Sequence, residues 1–158
     1  MQIHNITIQN PKSSPCLDYI KDGIKTVEGR KYSPKYAAIK ENDVIVFQDT
    51  KNPNYVVYAV VTYVHKYKTL EEYLSAETLQ KTLPWIETMA EAIQTYNQWS
   101  SPAERAQLVQ QHSYSFLGIG VKVITEEEFR KLKHGGGYKE KYYKYKNKYL
   151  QLKDSFDI

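Results

Sequence analysis

The sequence is poor in cysteine and histidine. It contains one cysteine, Cys16, and four histidines among 158 residues. A single cysteine cannot form a disulfide bond within the chain, and the histidines are scattered without the spacing of a zinc site. Intramolecular disulfides are therefore excluded, and we expect neither a metal site nor a cofactor.

Long apolar runs are also absent. Hydrophobic residues make up 41% of the chain, yet no stretch approaches the roughly eighteen consecutive apolar residues of a membrane-spanning helix. The N-terminal sequence MQIHNITIQ alternates polar and apolar residues and lacks the basic start and apolar core of a signal peptide. We therefore expect a soluble, intracellular protein that is not secreted and has no membrane partner.

Positive charge is concentrated at the C-terminus. The formal net charge is +4, and residues 138–158 contain six lysines against three acidic residues. The rest of the chain is thus nearly neutral, so any attraction to phosphates must come from a local patch or from the tail. The 15 tyrosines are side chains with an apolar ring and a polar tip, which suits stacking surfaces and interfaces.

The hydrophobic pattern predicts an α+β fold. Alternating or β-branched runs predict strands over residues 4–9, 44–48, 55–67 and 116–124. Helical spacing predicts helices over 16–24, with a buried stripe of Leu17, Ile20 and Ile24, and from Pro84, whereas residues 31–42 read as irregular. Further helices are predicted to begin at the Ser/Thr-x-x-Glu boxes of Thr69, Ser101 and Thr125.

Two kinds of glycine stand out. Gly118 and Gly120 lie inside the last predicted strand and indicate a bulge or a close backbone approach. The triple glycine 135–137 indicates a linker. We therefore predict a folded domain over 1–133, a linker over 134–137, and a Lys/Tyr-rich helix over 138–158.

The predicted C-terminal helix carries a stripe at alternating spacings of four and three residues. The stripe favours contact with a protein partner or a second copy; packing on the chain's own domain is the alternative. The stripe residues are Tyr138, Tyr142, Tyr145, Tyr149, Leu152 and Phe156. This segment is also similar to C-terminal tags on proteins of mimivirus-like giant DNA viruses, which implies a viral origin.

The segment Gly23-Ile24-Lys25-Thr26-Val27-Glu28-Gly29-Arg30 resembles the signature of the ASCH (activating signal cointegrator homology) family, which is related to PUA domains. The similarity continues through IKENDVIVF, YAVVTYVHKYKTLEEYL and FLGIGVKVI. Asn42 stands where the family has glycine, and asparagine also tolerates a left-handed backbone. The resemblance implies a mixed PUA-like β-barrel with peripheral helices, a cleft beside the Lys-Thr segment, and a link to RNA.

Some bacterial members of the family hydrolyse acetylated cytidine with a lysine, a threonine and a glutamate. By position, the lysine corresponds to Lys25, but Glu28 occupies the place of the nucleophilic threonine. A carboxylate cannot replace a hydroxyl as the attacking group, so Thr26 would have to substitute. The acid is expected among Glu71, Glu72 and Glu77, which gives the candidate catalytic set Lys25, Thr26 and Glu77.

A binding role places Glu28 and Arg30 in the cleft. The carboxylate would accept a hydrogen bond from a base, and the guanidinium would contact a phosphate. A structural ion pair between the two is the alternative. Trp85 and Trp99, at the ends of helical segments, would stack on bases, unless they pack against the barrel. The candidate ligand-binding set is Lys25, Thr26, Glu28, Arg30, Trp85 and Trp99.

Strand alternation adds one geometric expectation. It places Lys25, Val27 and Gly29 on one face of a strand and Thr26, Glu28 and Arg30 on the other.

Three functions follow from the sequence. Binding of RNA or a modified nucleoside is favoured; the alternatives are a small amidohydrolase acting on nucleosides of the N4-acetylcytidine type, and an interaction module targeted by the C-terminal helix.

Overall fold

The computed structural model describes residues 1–134. Residues 135–158 are outside this part, so the predicted C-terminal helix, its tyrosine stripe and the linker beyond His134 lie outside the described residues. Gln2–Val123 form one compact unit, and among the described residues Met1 and 124–134 belong to a second. No helix within residues 1–134 is both long and apolar enough to cross a membrane.

The described chain folds into one mixed sheet with helices, as the pattern predicts. The strands are β1 (Ile3–Ile8), β2 (Val27–Lys31), β3 (Val44–Asp49), β4 (Val56–Tyr67) and β5 (Phe116–Ile124). Their order in the sheet is β1-β3-β4-β5-β2. β1 and β3 are parallel, whereas β3 and β4, and β2 and β5, are antiparallel.

Seven helices lie between and after the strands in this part of the chain. They are α1 (Cys16–Lys21), α2 (Pro34–Ala37), α3 (Leu70–Glu77), α4 (Leu79–Thr82), α5 (Met89–Asn97), α6 (Pro102–His112) and α7 (Glu126–Lys133). α7 begins at the predicted capping box, in which the Thr125 hydroxyl accepts from the Glu128 amide at 3.1 Å and the Glu128 carboxylate accepts from the Thr125 amide at 3.2 Å.

Alternation along the strands builds a first core cluster. Val57, Ala59 and Val61 of β4 are buried together with Leu117 and Ile119 of β5. α1 covers this cluster with Leu17 and Ile20, because these residues lie on one face of its short helix. The other buried members are Ile6, Ile8, Cys16, Ile39, Ile45, Phe47 and Val121.

The alternation in β4 changes phase after Val61. Val64 packs against the first cluster, whereas Tyr63 and Tyr67 pack against a second. The second cluster consists of Val27, Leu70, Tyr73, Leu74, Leu83, Ala92, Tyr96 and Phe116. It joins α3 and α5 to the β2–β5 side of the sheet, where the cleft described below is found.

The predicted close approach at Gly118 and Gly120 is confirmed. A Cβ atom at Gly118 would lie 3.0 Å from a Glu77 carboxylate oxygen, and one at Gly120 would lie 2.4 Å from the ring of Tyr63. The two glycines therefore leave room for side chains that cross the sheet. Asn42 adopts φ 75°, which confirms its expected left-handed conformation.

Three local predictions are wrong. Ile24 is 49% exposed, because α1 ends at Lys21 and Gly23 turns the chain away with φ 74°. The segment from Pro84 is not helical until Met89, where the Thr88 hydroxyl accepts from the Glu91 amide at 3.2 Å and caps α5. Residues 31–42 are not wholly irregular, since they contain α2.

Candidate functional site

A cleft of about 630 Å³ lies beside β2 in the Gln2–Val123 unit. One wall is formed by Lys25, Glu28 and Arg30, and the corner between α5 and α6 forms another with Tyr96 and Trp99. A third wall is rich in hydroxyl groups from β1 and the loop that follows it, including those of Thr7, Ser13 and Ser14. Among the described residues, no group of three or more His, Cys, Asp or Glu side chains is arranged to hold a metal ion.

Lys25 is held at the base of the cleft. The amides of Ile24 and Lys25 both donate to the Tyr19 carbonyl, at 2.9 and 3.0 Å, which fixes the turn before β2. The Lys25 side chain is 1% exposed, and its ammonium donates to the carbonyls of Val27 at 2.6 Å and Thr82 at 2.5 Å. These two hydrogen bonds tie the Lys25 side chain to the start of β2 and to the end of α4.

The predicted separation of Lys25 from Glu28 is wrong. β2 begins only at Val27, so the alternation of a strand does not extend back to Lys25. The ammonium lies 3.6 Å from Glu28 Oε1. The lysine and the glutamate therefore share one side of the cleft.

Glu28 is a buried carboxylate with one oxygen that accepts no hydrogen bond from residues 1–134. It is 5% exposed, and its Oε1 accepts from the Gly29 amide at 3.1 Å. Oε2 is the one buried side-chain N or O atom of the described residues that has no hydrogen-bond partner. Its nearest ionic neighbour is Arg30 Nη2 at 3.6 Å, which is beyond hydrogen-bond distance. A buried carboxylate oxygen without a donor is costly unless something else supplies one.

Arg30 lies between the cleft and α2. Its Nη1 donates to the Tyr36 hydroxyl at 3.0 Å and its Nη2 donates to the Thr7 carbonyl at 3.4 Å, while the guanidinium lies 5.2 Å from the centre of the Tyr36 ring. Burial by itself lowers the pKa of Arg30, but Glu28 and Tyr36 outweigh it and raise that pKa. The Arg30 guanidinium is thus a permanent cation with its side chain still 22% exposed.

The three charged side chains leave an excess of one positive charge on this wall. Lys25 and Arg30 face a single carboxylate, that of Glu28. The cations flank Glu28 on its two oxygens, at 3.6 Å each. The wall thus combines a net attraction for anions with one acceptor that needs a donor.

Trp99 and Trp85 differ in their surroundings. Trp99 is 52% exposed and lines the cleft, where its ring meets Tyr96 edge-on at 5.5 Å. Trp85 is half-buried, packs against both core clusters, and lies 5.6 Å from the ring of Tyr19. Trp85 is not among the residues that line the cleft, so the structure brings only one of the two predicted tryptophans to it.

Thr26 and Glu77 are not brought to the cleft either. The backbone of Thr26 bridges two elements, since its amide donates to the Lys81 carbonyl and its carbonyl accepts from the Val121 amide. Glu77 accepts from the hydroxyls of Tyr63 at 2.7 Å and Tyr67 at 2.6 Å. Of the predicted catalytic set of Lys25, Thr26 and Glu77, only Lys25 lines the cleft.

Glu77 belongs to a cluster of its own. His65 Nδ1 lies 3.1 Å from the carboxylate, and the His65 ring stacks on Tyr63 with the centroids 4.2 Å apart. Burial raises the pKa of Glu77, but the hydrogen bonds from Tyr67, Tyr63 and His65 outweigh it and lower that pKa. The cluster satisfies the carboxylate fully, which suits a structural role.

Several residues that line the cleft are outside the predicted ligand-binding set. Tyr36 orients Arg30, Tyr96 supports Trp99, and Ser100 forms part of the corner wall. None carries a local motif, because each comes from an element that reaches the cleft only through the tertiary fold. The buried Tyr73 lies under β2, and Gly29 leaves the space that its ring occupies.

The fold is similar to two solved structures. The crystal structure of the hypothetical protein PH0355 has 24% sequence identity and a TM-score of 0.63, covering 78% of this chain and 100% of that one. The solution NMR structure of protein PF0455 from Pyrococcus furiosus has 25% identity and a TM-score of 0.59, covering 78% of this chain and 98% of that one. No curated protein matches the sequence.

The family comparison agrees with the signature segment. The model of the ASCH domain matches residues 13–153, which include Lys25, Glu28, Arg30 and the corner that carries Trp99. The predicted α+β fold of the PUA-like type, with a curled five-stranded sheet and peripheral helices, is confirmed. Since the match spans most of the sequence, the chain belongs to the ASCH domain family.

Proposed function

We propose that this chain binds RNA, or a modified nucleoside, in the cleft beside β2. The observation that supports the proposal best is Glu28 Oε2, which is buried and has no hydrogen-bond donor among the described residues. A base that presents an N–H group to the cleft supplies that donor. Membership of the ASCH family, which is linked to RNA, points the same way.

The surroundings of Glu28 suit a nucleotide. Arg30 and Lys25 leave one positive charge in excess, which favours a ligand with a phosphate near the base. Trp99 presents an exposed ring at the cleft, and stacking on an aromatic ring contributes about 1–3 kcal/mol per base. Single-stranded RNA is recognised by this combination of stacked bases and contacts to base edges.

A hydrolase of N4-acetylcytidine-like nucleosides has less support. Lys25 donates to two carbonyls, and neither Thr26 nor Glu77 lines the cleft. Chromatography of N4-acetylcytidine incubated with the protein tests this alternative. We expect no released cytidine; turnover by the wild type that is lost in a Lys25→Ala variant shown by thermal melting to be folded would favour the enzyme.

The main test removes the Arg30 cation. We expect Arg30→Ala to weaken binding of short fluorescent single-stranded RNAs by on the order of tenfold or more, since hydrogen bonds to charged groups contribute about 1.5–3 kcal/mol. Arg130→Ala is the matched control, because it removes the same charge from a residue that does not line the cleft. Thermal melting checks that each variant is folded. Equal affinity of the two variants and the wild type would overturn the proposal.

The C-terminal helix is a separate prediction. Its stripe of Tyr138, Tyr142, Tyr145, Tyr149 and Leu152 lies outside the described residues, and we retain it as a candidate surface for a protein partner. Deleting residues 135–158 is expected to leave RNA binding by the cleft intact while changing where the protein accumulates in a cell. Unchanged location after the deletion would contradict a targeting role.

A further inference from the structure

The corner between α5 and α6 presents Trp99 to the cleft with about half of its surface exposed. Trp99 is 52% exposed, although a large apolar side chain is favoured by burial. Its ring meets the ring of Tyr96 edge-on, with the two centroids 5.5 Å apart. The orientation of the indole therefore depends on the backbone of the corner, where the amides of Trp99 and Ser100 both donate to the Tyr96 carbonyl, at 3.0 and 3.1 Å.

A buried arginine holds this corner. Arg105 of α6 is 6% exposed, and its Nη1 donates to the carbonyl of Ser100 at 2.5 Å and to the hydroxyl of Ser100 at 3.0 Å. Its Nη2 donates to the side-chain oxygen of Asn97 at 2.7 Å. The guanidinium thus forms hydrogen bonds to the chain on both sides of Trp99, at the end of α5 and just before α6.

All three acceptors of Arg105 are uncharged. Burying a cation against neutral acceptors carries a desolvation cost. Burial lowers the pKa of Arg105, against the attraction of Glu71 and Glu104. The fork geometry of the guanidinium offsets that cost, because it donates to three oxygens at once and so holds the end of α5 and the residue before α6 in a fixed arrangement.

We propose that Arg105 is a positioning residue for the cleft, which fixes the α5–α6 corner so that Trp99 is held ready to stack on a base of the bound RNA. The inference rests on the proposed function and assigns a specific role to a residue that does not line the cleft. Preorganisation is the physical reason: an indole already held in its binding orientation loses little conformational entropy when RNA arrives.

The first test uses the free protein. The chain has two tryptophans, so Trp85→Phe leaves Trp99 as the single one. In this background, Arg105→Lys keeps the positive charge but loses the fork, and we expect lower fluorescence anisotropy and faster quenching of Trp99 by acrylamide. Arg130→Lys is the matched control. Anisotropy and quenching equal to those of the control would overturn the proposal, whatever the protein binds.

The second test uses RNA affinity in a double-mutant cycle. Trp99→Ala is expected to weaken binding of a short fluorescent single-stranded RNA on the order of 5- to 150-fold. We expect Arg105→Lys to weaken it several-fold in the wild-type background and not at all in the Trp99→Ala background. An equal loss in both backgrounds would show that Arg105 acts on the fold in general, and would overturn the proposal.

A milder variant covers the case in which Arg105→Lys fails to fold. Asn97→Ala removes one acceptor of the guanidinium and leaves the two hydrogen bonds to Ser100. We expect it to melt close to the wild type and to reduce Trp99 anisotropy in the same direction; unchanged anisotropy and affinity would overturn the proposal. The two proposals can be refuted separately. Absence of RNA binding by the wild type would refute the proposed function, whereas the Trp99 anisotropy of the free protein still tests whether Arg105 fixes the orientation of Trp99.

Discussion

Gly29→Ala adds one methyl group under the strand that carries the cleft wall. A Cβ at this position would lie 2.2 Å from the Tyr73 hydroxyl oxygen, 2.5 Å from Cζ and 2.8 Å from Cε1. Carbon atoms in contact are about 3.5–4.0 Å apart. Either the ring or the strand must therefore move by about 1 Å.

Neither has free space to move into. Tyr73 is fully buried, its ring lies 4.7 Å from that of Phe116, and its hydroxyl is 3.2 Å from the hydroxyl of Tyr96. β2 is in turn paired with β5, where Gly29 faces Gly118. Overpacking of this kind costs about 1–3 kcal/mol or more. The lower entropy of an alanine in the unfolded chain offsets about 0.4–1 kcal/mol at most.

We expect Gly29→Ala to lower the free energy of unfolding by about 1–3 kcal/mol and Tm by on the order of 5–10 °C, measured by urea and thermal denaturation. In a Tyr73→Leu background the clashing atoms are gone, so the added cost of Gly29→Ala should fall by more than half. Gly23→Ala is the control. It meets no atom within 4 Å but has φ +74°, so its cost comes from the backbone and should not depend on Tyr73. A Gly29→Ala protein as stable as the wild type, or the same cost in both backgrounds, would refute this reasoning.

Three further predictions concern the base of the cleft, the core and the response to acid. Lys25→Met should destabilise the fold by about 3–5 kcal/mol in urea denaturation, because two buried carbonyls and Glu28 lose their cation; a cost equal to that of Lys12→Met on the surface would contradict this. Ile20→Ala should cost about 2–5 kcal/mol and Ile24→Ala less than about 0.5, since these isoleucines are 1% and 49% exposed; equal costs would restore the predicted helical stripe. The hydrogen bonds that lower the pKa of Glu77 stabilise the fold above its ordinary value of 4.5, and this contribution is lost as the pH falls through the lowered pKa. Glu77→Gln should therefore cost more near pH 7 than near pH 3, and a pH-independent cost would contradict the assignment.

The strands and most helix starts could be predicted from the sequence because their signals are local. β4 is a β-branched and aromatic run, and the Thr69, Ser101 and Thr125 hydroxyls each accept from the amide three residues on. The start of α5 was missed because Thr88 caps it only after a non-helical segment from Pro84. Helical spacing persists through that segment, but spacing alone does not show where the backbone hydrogen bonds begin.

The cleft was predicted in part. The signature segment led to Lys25, Glu28 and Arg30, which do lie together, although strand alternation gave the wrong side for Lys25. Thr26 and Glu77 were assigned to the catalytic set by resemblance to hydrolytic members of the family. In the structure the backbone of Thr26 bonds to Lys81 and Val121, and Glu77 accepts from Tyr63 and Tyr67. Their local sequence does not predict these contacts.

The two tryptophans illustrate why the other cleft contacts could not be predicted from the sequence. Trp85 and Trp99 both stand at ends of helical segments, so their sequence surroundings look alike. Trp85 is half-buried because Tyr19, distant in the sequence, packs against it, whereas Trp99 is held in the cleft by a corner that depends on Arg105. Such contacts are set by tertiary packing, and a local pattern does not encode them.

The most direct test of the central claim asks whether Glu28 accepts a hydrogen bond from a base. Affinities are measured for two short single-stranded RNAs of the same sequence, one unmodified and one whose base N–H groups are blocked by methylation. We predict that the wild type prefers the unmodified RNA by on the order of tenfold to a hundredfold, and that Glu28→Ala, with its fold checked by melting, binds both RNAs equally. Equal binding of the two RNAs by the wild type, or a preference that survives in Glu28→Ala, would contradict the account.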